Sequence, residues 1–129
     1  MSDCTFTKVV MPGQANSRGT FFGGALLAMM DEAAAVAAMR HARHPVVTVH
    51  MNSVDFKAPI FVGEVAQICA RLVRTGRTSM TVQVEAYGEN LISGERRHCT
   101  SAEVVMVAMD ENRRPTPVPP FHSPDETAS

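Results

Sequence analysis

The densest concentration of chemistry in this chain lies between Asn16 and Glu32. An amide side chain at Asn16 precedes Gly19, Gly23 and Gly24, and the apolar run that follows carries Asp31 and Glu32 in its middle. Glycines at the start of a helix leave backbone N–H groups open at the positive end of the helix dipole, where they can polarise a carbonyl oxygen. They also let a substrate approach the backbone closely. A carboxylate about two turns further in can activate water as a base or attack a carbonyl directly. Set among Leu26, Leu27, Met29, Met30, Ala33 and Ala34, such a carboxylate is expensive to bury without a partner or a purpose. Adjacent helix positions point about 100° apart, so Asp31 and Glu32 do not share one role.

The elements that must position these groups follow from pattern. Residues 5–11 read as a short strand stopped by Pro12-Gly13, and a loop from Gln14 to Phe22 leads into a helix over roughly Gly23–His41. Its Ala, Leu and Met content gives high helix propensity. Apolar residues lie nearly all round it, which predicts a helix wrapped by other structure. His44-Pro45 ends it, because a proline disfavours helical geometry in the residue before it. The period then changes to two. Val47, Val49 and Met51 alternate with Thr48, His50 and Asn52 as a half-buried strand. The phase moves at Val54 and Phe56, which predicts a bulge or burial of both faces. Further strands are expected at 66–72 and 80–86, joined by a tight turn at Thr75-Gly76-Arg77, with a looser reversal spanning Gly88 to Gly94. A last strand over 98–109 carries Val104-Val105-Met106-Val107, apolar on both faces, which predicts a central place in the sheet. The order is one strand, a long helix and four strands: an α+β arrangement of one helix against an antiparallel sheet.

Composition narrows the function classes. The chain has 129 residues, enough for one domain with an ordinary core, and 45% of them are hydrophobic. With aromatics at 5% and no Trp, Ala, Val and Met must fill that core. A formal charge of −1 leaves no electrostatic footprint for nucleic acid. Cys4, Cys69 and Cys99 are odd in number, widely spaced and without CxxC, which fits a reduced cytoplasmic chain better than a disulfide framework. No secretory signal is visible at the N-terminus, and the run Ala25–Met39, broken by Asp31 and Glu32, is too short to span a bilayer. The expectation is a cytoplasmic protein that inserts in no membrane.

The motifs taken in order resemble the acyl-CoA thioesterases of the hotdog fold, specifically the YciA-like and cytosolic acyl-CoA hydrolase group. The resemblance rests on Asn16-x-x-Gly19-x-x-x-Gly23-Gly24, Asp31 within Met-Met-Asp-Glu-Ala, Val46-Val-Thr-Val and Asp55-Phe-Lys-Ala-Pro-Ile60. Val62-Gly63-Glu64, Gly76-Arg-Thr-Ser79, Gly94-Glu95-Arg96 and the Val-Ala-Met-Asp segment ending at Asp110 extend it from about Phe6 to Pro119. Two local departures stand out: Gln14-Ala15 ahead of Asn16, and the bulky Phe21-Phe22, which could narrow an acyl tunnel or pack in the core.

The resemblance implies a five-stranded antiparallel sheet around one central helix, a single domain over residues 1–112; the composition of 113–129, Pro-rich and then polar, predicts an extended or disordered tail. It also implies hydrolysis of acyl-CoA to free acid and CoA, with no metal or other cofactor. Asp31 becomes the base or nucleophile and Asn16 its partner from a second subunit, with the amides of Gly23 and Gly24 holding the carbonyl. Arg77, Thr78 and Ser79, with Lys57, become contacts to CoA. The assembly implied is a homodimer with interface active sites, built into a trimer of dimers.

Each residue also has a plainer reading. Asn16 could be a turn residue, Gly23-Gly24 a turn and nothing more, and Arg77 a solvated charge. His41, His44 and His50 could suggest a metal, but cations at a helix C-terminus explain the first two. Neither Cys69 nor Cys99 has a paired His signature, and no Gly-x-Ser-x-Gly elbow is present. Two further functions remain: a non-catalytic hotdog that binds acyl-CoA as a sensor or regulatory subunit, and a thioester dehydratase or hydratase. Asp31 argues against the first, and the lack of a His before His41 against the second.

Overall fold

A computed structural model of the chain describes residues 3–122. The order of elements is β1 (Cys4–Val9), a 3-10 turn at Pro12–Gln14, α1 (Gly23–Ala42), β2 (Val46–Phe56), β3 (Val65–Thr75), β4 (Ser79–Glu89) and β5 (Arg96–Ala108). All neighbouring strands pair antiparallel in one five-stranded sheet of order β1-β3-β4-β5-β2. The helix contacts every strand, so the α+β architecture is the one the resemblance implies.

Helix α1 turns toward the sheet the side that carries Leu26, Met30, Ala33, Ala34, Ala37 and Ala38, all buried. Their spacing follows the helical repeat, and the alanines allow close approach of helix and sheet. Met30, Ile68, Met80 and Met106 are the largest fully buried side chains, so Met, Val and Ala do fill the core. The helix ends at Arg43, which is left-handed at φ 58° and donates its N–H to the Met39 carbonyl at 2.8 Å. It is not wrapped on all sides, as its composition suggested: Gly24, Ala28, Glu32 and Met39 form an open face.

Strand β2 also departs from expectation. Val47 and Val49 are 45% and 54% exposed, because Thr48 between them is the residue that turns to the helix. The two valines point to the opposite face of an edge strand that pairs, among the described residues, with β5 alone. The expected bulge is present, with register breaks at Thr48/His50 and Asn52/Asp55 and a left-handed Ser53 at φ 54°. Strand β5 is interior, flanked by β4 and β2, while β4 takes the middle of the sheet. Gly88 belongs to β4 rather than to the reversal after it. A Cβ there would press on Cys99 Sγ, Ile60 and Arg97 at 3.2–3.3 Å, so the glycine answers a packing demand, not a turn.

Beyond β5 the chain turns back at Asp110, whose carboxylate accepts from the N–H groups of Asn112 and Arg114. The following segment straps one end of the sheet. Thr116 N–H donates to the Ala108 carbonyl and Val118 N–H to the Arg77 carbonyl, both at 2.9 Å. Val118 is buried, and Phe121 packs edge-on against His41, whose Nε2 lies 2.6 Å from the Pro119 carbonyl. Residues 123–129 of the expected tail lie outside the described residues.

Candidate functional site

Asp31 sits in the third turn of α1, half-buried on the side of the helix that faces β2. Its Oδ1 accepts the Thr48 hydroxyl at 2.6 Å, and it forms no ion pair among the described residues. The structure thus holds a carboxylate by one neutral donor and leaves its charge uncompensated. Thr48 lies in the Val46-Val-Thr-Val stretch that carries part of the resemblance, but nothing in the sequence assigned it a role. The signal was its place as a polar residue on a strand facing the apolar helix.

Asn16 organises its own loop. Its Oδ1 accepts from the N–H groups of Arg18 and Thr20 at 2.9 and 3.2 Å, and its Nδ2 donates to Thr20 Oγ1 at 2.7 Å. Gly19, left-handed at φ 78°, closes the turn. The plain reading of Asn16 as a turn residue therefore holds within the chain. A side-chain amide carries two donor hydrogens, so one remains for a ligand. Asp31 and Asn16 have no hydrogen bond between them in the single chain.

Gly23 and Gly24 open the helix, with Phe22 as N-cap and no side chain bonded to the first-turn amides. Gly23 borders a cleft of about 290 Å³ whose other walls include Phe21, Leu26, Phe56, Lys57 and Thr100. A Cβ on Gly23 would lie 3.9 Å from the Phe56 ring. Eight residues of helix separate Gly23 from Asp31, about 12 Å along the axis. One carbonyl group therefore cannot touch both within one chain.

The outer wall of this cleft is braced. Glu64, buried beside it, accepts both terminal nitrogens of Arg97 at 2.5 and 3.1 Å and the Phe61 N–H at 2.9 Å. Arg97 also donates to the Pro59 carbonyl and lies over the Phe61 ring. The Arg97 guanidinium, assisted by the Phe61 N–H, holds the Glu64 carboxyl below its usual range. The same bonds push the Arg97 guanidinium up.

Lys57, at the cleft, is about half-exposed and lies 4.0 Å from an Asp55 carboxylate oxygen and 3.5 Å from His98 Nδ1. Arg77, Thr78 and Ser79 form the β3–β4 turn, with Arg77 exposed and Gly76 N–H bonded to the Ser79 carbonyl. They stand at the other end of the sheet. Ser79 and Ala86, the latter paired with Thr100, are seven residues apart on β4, about 23 Å. The single chain therefore gathers Gly23 and Lys57 at the cleft, Asp31 and Thr48 further along the helix, and Arg77–Ser79 at the far end.

Among the described residues no group of three or more His, Cys, Asp and Glu side chains is placed to hold a metal ion. No helix there is long and apolar enough to cross a membrane. Burial pushes the Cys4 and Cys99 thiols up, which makes them poor nucleophiles.

Comparison with known proteins gives a consistent set of likenesses. The family model described as the thioesterase superfamily matches residues 18–94. An uncharacterized acyl-CoA thioester hydrolase of Zymomonas mobilis is 43% identical over 88% of this chain and 76% of its own length. The acyl-CoA thioester hydrolase YciA of Salmonella typhimurium is 35% identical over 86% of each. Among solved structures, an apo-hexameric acyl-CoA thioesterase superposes with a TM-score of 0.90 at 42% identity, covering 96% of this chain and 81% of that one. An acyl-CoA hydrolase of Staphylococcus aureus, solved with butyryl coenzyme A, coenzyme A and coenzyme A disulfide, gives a TM-score of 0.88 at 33% identity over 97% and 77%. Alanine variants of that enzyme have been solved at an asparagine, at an aspartate fifteen positions later and at a threonine seventeen beyond that. Asn16, Asp31 and Thr48 stand at the same intervals.

Proposed function

The chain belongs to the thioesterase superfamily, and on that premise we propose that it hydrolyses acyl-CoA to a free carboxylic acid and coenzyme A, with Asp31 at the reacting carbon. The observation that carries this reading is the Asp31 carboxylate, seated in an apolar helix and held, among the described residues, only by the Thr48 hydroxyl.

Asp31 either removes a proton from the attacking water or attacks the thioester carbonyl itself to form an anhydride that water then opens. In both cases the carbonyl oxygen gains charge, the carbon–sulfur bond breaks and the CoA thiolate leaves. Thr48 fixes which carboxylate oxygen faces the reaction. The first-turn amides of Gly23 and Gly24 stabilise the oxyanion, where the helix dipole adds to their effect. The second hydrogen of the Asn16 amide orients the water or the carbonyl.

The 12 Å between the glycines and Asp31 supports a site shared by two copies, with Asp31 of one subunit meeting the glycines and Asn16 of the other. Strand β2 offers the surface for such pairing. Its outer edge is unpaired among the described residues, and Val47, Val49, Val54 and Phe56 are all exposed on the strand. Homodimers joined there, three to a hexamer, agree with the hexameric relative. Lys57 at the cleft and Arg77–Ser79 at the opposite end of the sheet contact separate parts of CoA, the arginine pairing with phosphate. No metal or redox cofactor is needed for this chemistry.

The test is thiol release from a panel of acyl-CoAs by the wild type and by Asp31→Asn. Binding of a non-hydrolysable acyl-CoA thioether is measured alongside. Turnover that falls by a factor of about 10²–10⁴ with binding retained supports the assignment. Binding without turnover in the wild type would overturn it in favour of a sensor.

A further inference from the structure

We propose that Thr100, which the reaction scheme leaves unused, contacts the substrate through its hydroxyl, donating to a carbonyl oxygen of the acyl moiety. The inference rests on the reading of the protein as an acyl-CoA hydrolase and names a residue within that site.

Thr100 lies on β5, opposite Phe56 of β2 and Ala86 of β4. It is 0% exposed, and its Oγ1 is the one buried side-chain oxygen or nitrogen among the described residues without a hydrogen-bond partner. Leaving a buried hydroxyl unpaired is unfavourable, because it loses water and gains nothing in return. A valine would fill the same volume without that loss. The hydroxyl therefore works against the free protein, which is the pattern expected of a group whose partner arrives with a ligand.

Its position agrees with that reading. Thr100 lines the same cleft as Gly23 and Leu26 at the start of the helix, and the remaining walls are mostly apolar. An acyl group entering there meets one polar hydrogen deep in the sheet, in addition to the amides of the first helical turn. The oxygen is sealed in the free chain, and the neighbouring side chain able to yield is Phe56, more than half exposed on the edge strand. A staggered turn of Thr100 about χ1 also re-aims the hydroxyl. Two oxygens fit this chemistry: that of the thioester itself and one carried further along the acyl chain.

The experiment compares wild type, Thr100→Val and Thr100→Ser in the full-length protein. The probes are S-(2-oxopentyl)-coenzyme A, which keeps a ketone one methylene from the sulfur, and S-pentyl-coenzyme A, which has none. The expected result is that Thr100→Val binds the ketone about tenfold more weakly. It binds the pentyl thioether as the wild type does and melts at the same temperature or higher, while Thr100→Ser keeps wild-type affinity for both. Turnover then locates the oxygen. A loss with both butyryl-CoA and acetoacetyl-CoA marks the thioester carbonyl, and a loss with acetoacetyl-CoA alone marks the chain. Equal ketone affinity in wild type and Thr100→Val overturns the proposal, as does an equal loss for both probes with a lowered melting temperature. Wild-type turnover is scored separately, so inactivity would count against the hydrolase reading while the ketone comparison still decides the role of Thr100.

Discussion

The Thr48 hydroxyl donates to Asp31 Oδ1 at 2.6 Å, joining an exposed position on the edge strand to a carboxylate in the central helix. Short contacts of this kind, with an ionised acceptor, are stronger and more directional than neutral ones. The bond crosses from strand to helix where neither element is otherwise sealed, so it orients a group more than it stabilises a core. Thr48→Val should lower kcat about tenfold, through loss of one oriented hydrogen bond. KM and melting temperature should stay close to wild type, and steady-state kinetics beside a thermal melt check this. A melting temperature that falls with kcat would make Thr48 a structural residue.

Acid should loosen the cleft wall before the rest of the fold. Arg97 holds the Glu64 carboxyl below its usual range, so the pair's stabilisation is fully present above the ordinary carboxylate pKa of 4.5. It is lost as pH falls through the lower, folded value. Glu64→Gln should destabilise the protein by about 1–2 kcal/mol near neutrality, leaving the partly buried Arg97 with Glu95 as its remaining ionic partner. It should also flatten the decline in stability below pH 4.5 relative to wild type. Denaturant melts at a series of pH values would show both effects.

The strap formed by residues 115–121 should matter for the β3–β4 turn. Val118→Asp puts a charge at a buried site and should cost about 2–3 kcal/mol. Amide exchange should quicken at Val118 and Ala108, whose N–H groups bond the Arg77 and Thr78 carbonyls. Exchange within β3 and β4 away from the turn should quicken less, which a site-resolved measurement would reveal.

Assembly should fail before folding when β2 is charged. Val49, 54% exposed in the single chain, can become Asp there with little effect on the isolated fold. Val49→Asp should shift the mass measured by light scattering toward the monomer. An unchanged mass would direct attention to the open face of α1 around Met39.

Thiol labelling should follow burial. Cys99 is fully buried and its thiol is pushed up by that burial, so it should react with a maleimide far more slowly than the half-buried Cys69. Denaturant should abolish the difference.

Much of the fold was legible because period reports environment. Helix α1 and the alternation of β3 and β4 could be placed from the spacing of their apolar residues alone, Ala66, Ile68, Ala70 and Leu72 in β3 and Met80, Val82, Val84 and Ala86 in β4. What escaped notice depends on neighbours distant in sequence. Gly88 read as a turn because nothing local shows that Ile60, Cys99 and Arg97 crowd it. The valines of β2 read as core-facing because alternation does not say which of its two phases meets the helix, and here it is the phase of Thr48. At the site, Asp31 stood out as a charge in an apolar run. Thr48 and Thr100 did not, since a threonine on a strand looks ordinary until its hydroxyl's partner, or lack of one, is known.

The separation of Gly23 from Asp31 along one rigid helix has a genetic consequence. If each catalytic centre takes its carboxylate from one chain and its asparagine from another, two dead variants can complement each other. Subunits of Asp31→Ala mixed with subunits of Asn16→Ala would form hybrid pairs in which one centre carries both defects and the other carries none. Activity would return to mixtures of two inactive proteins, at up to half of one pair's capacity. A centre built within a single chain would stay silent in every mixture.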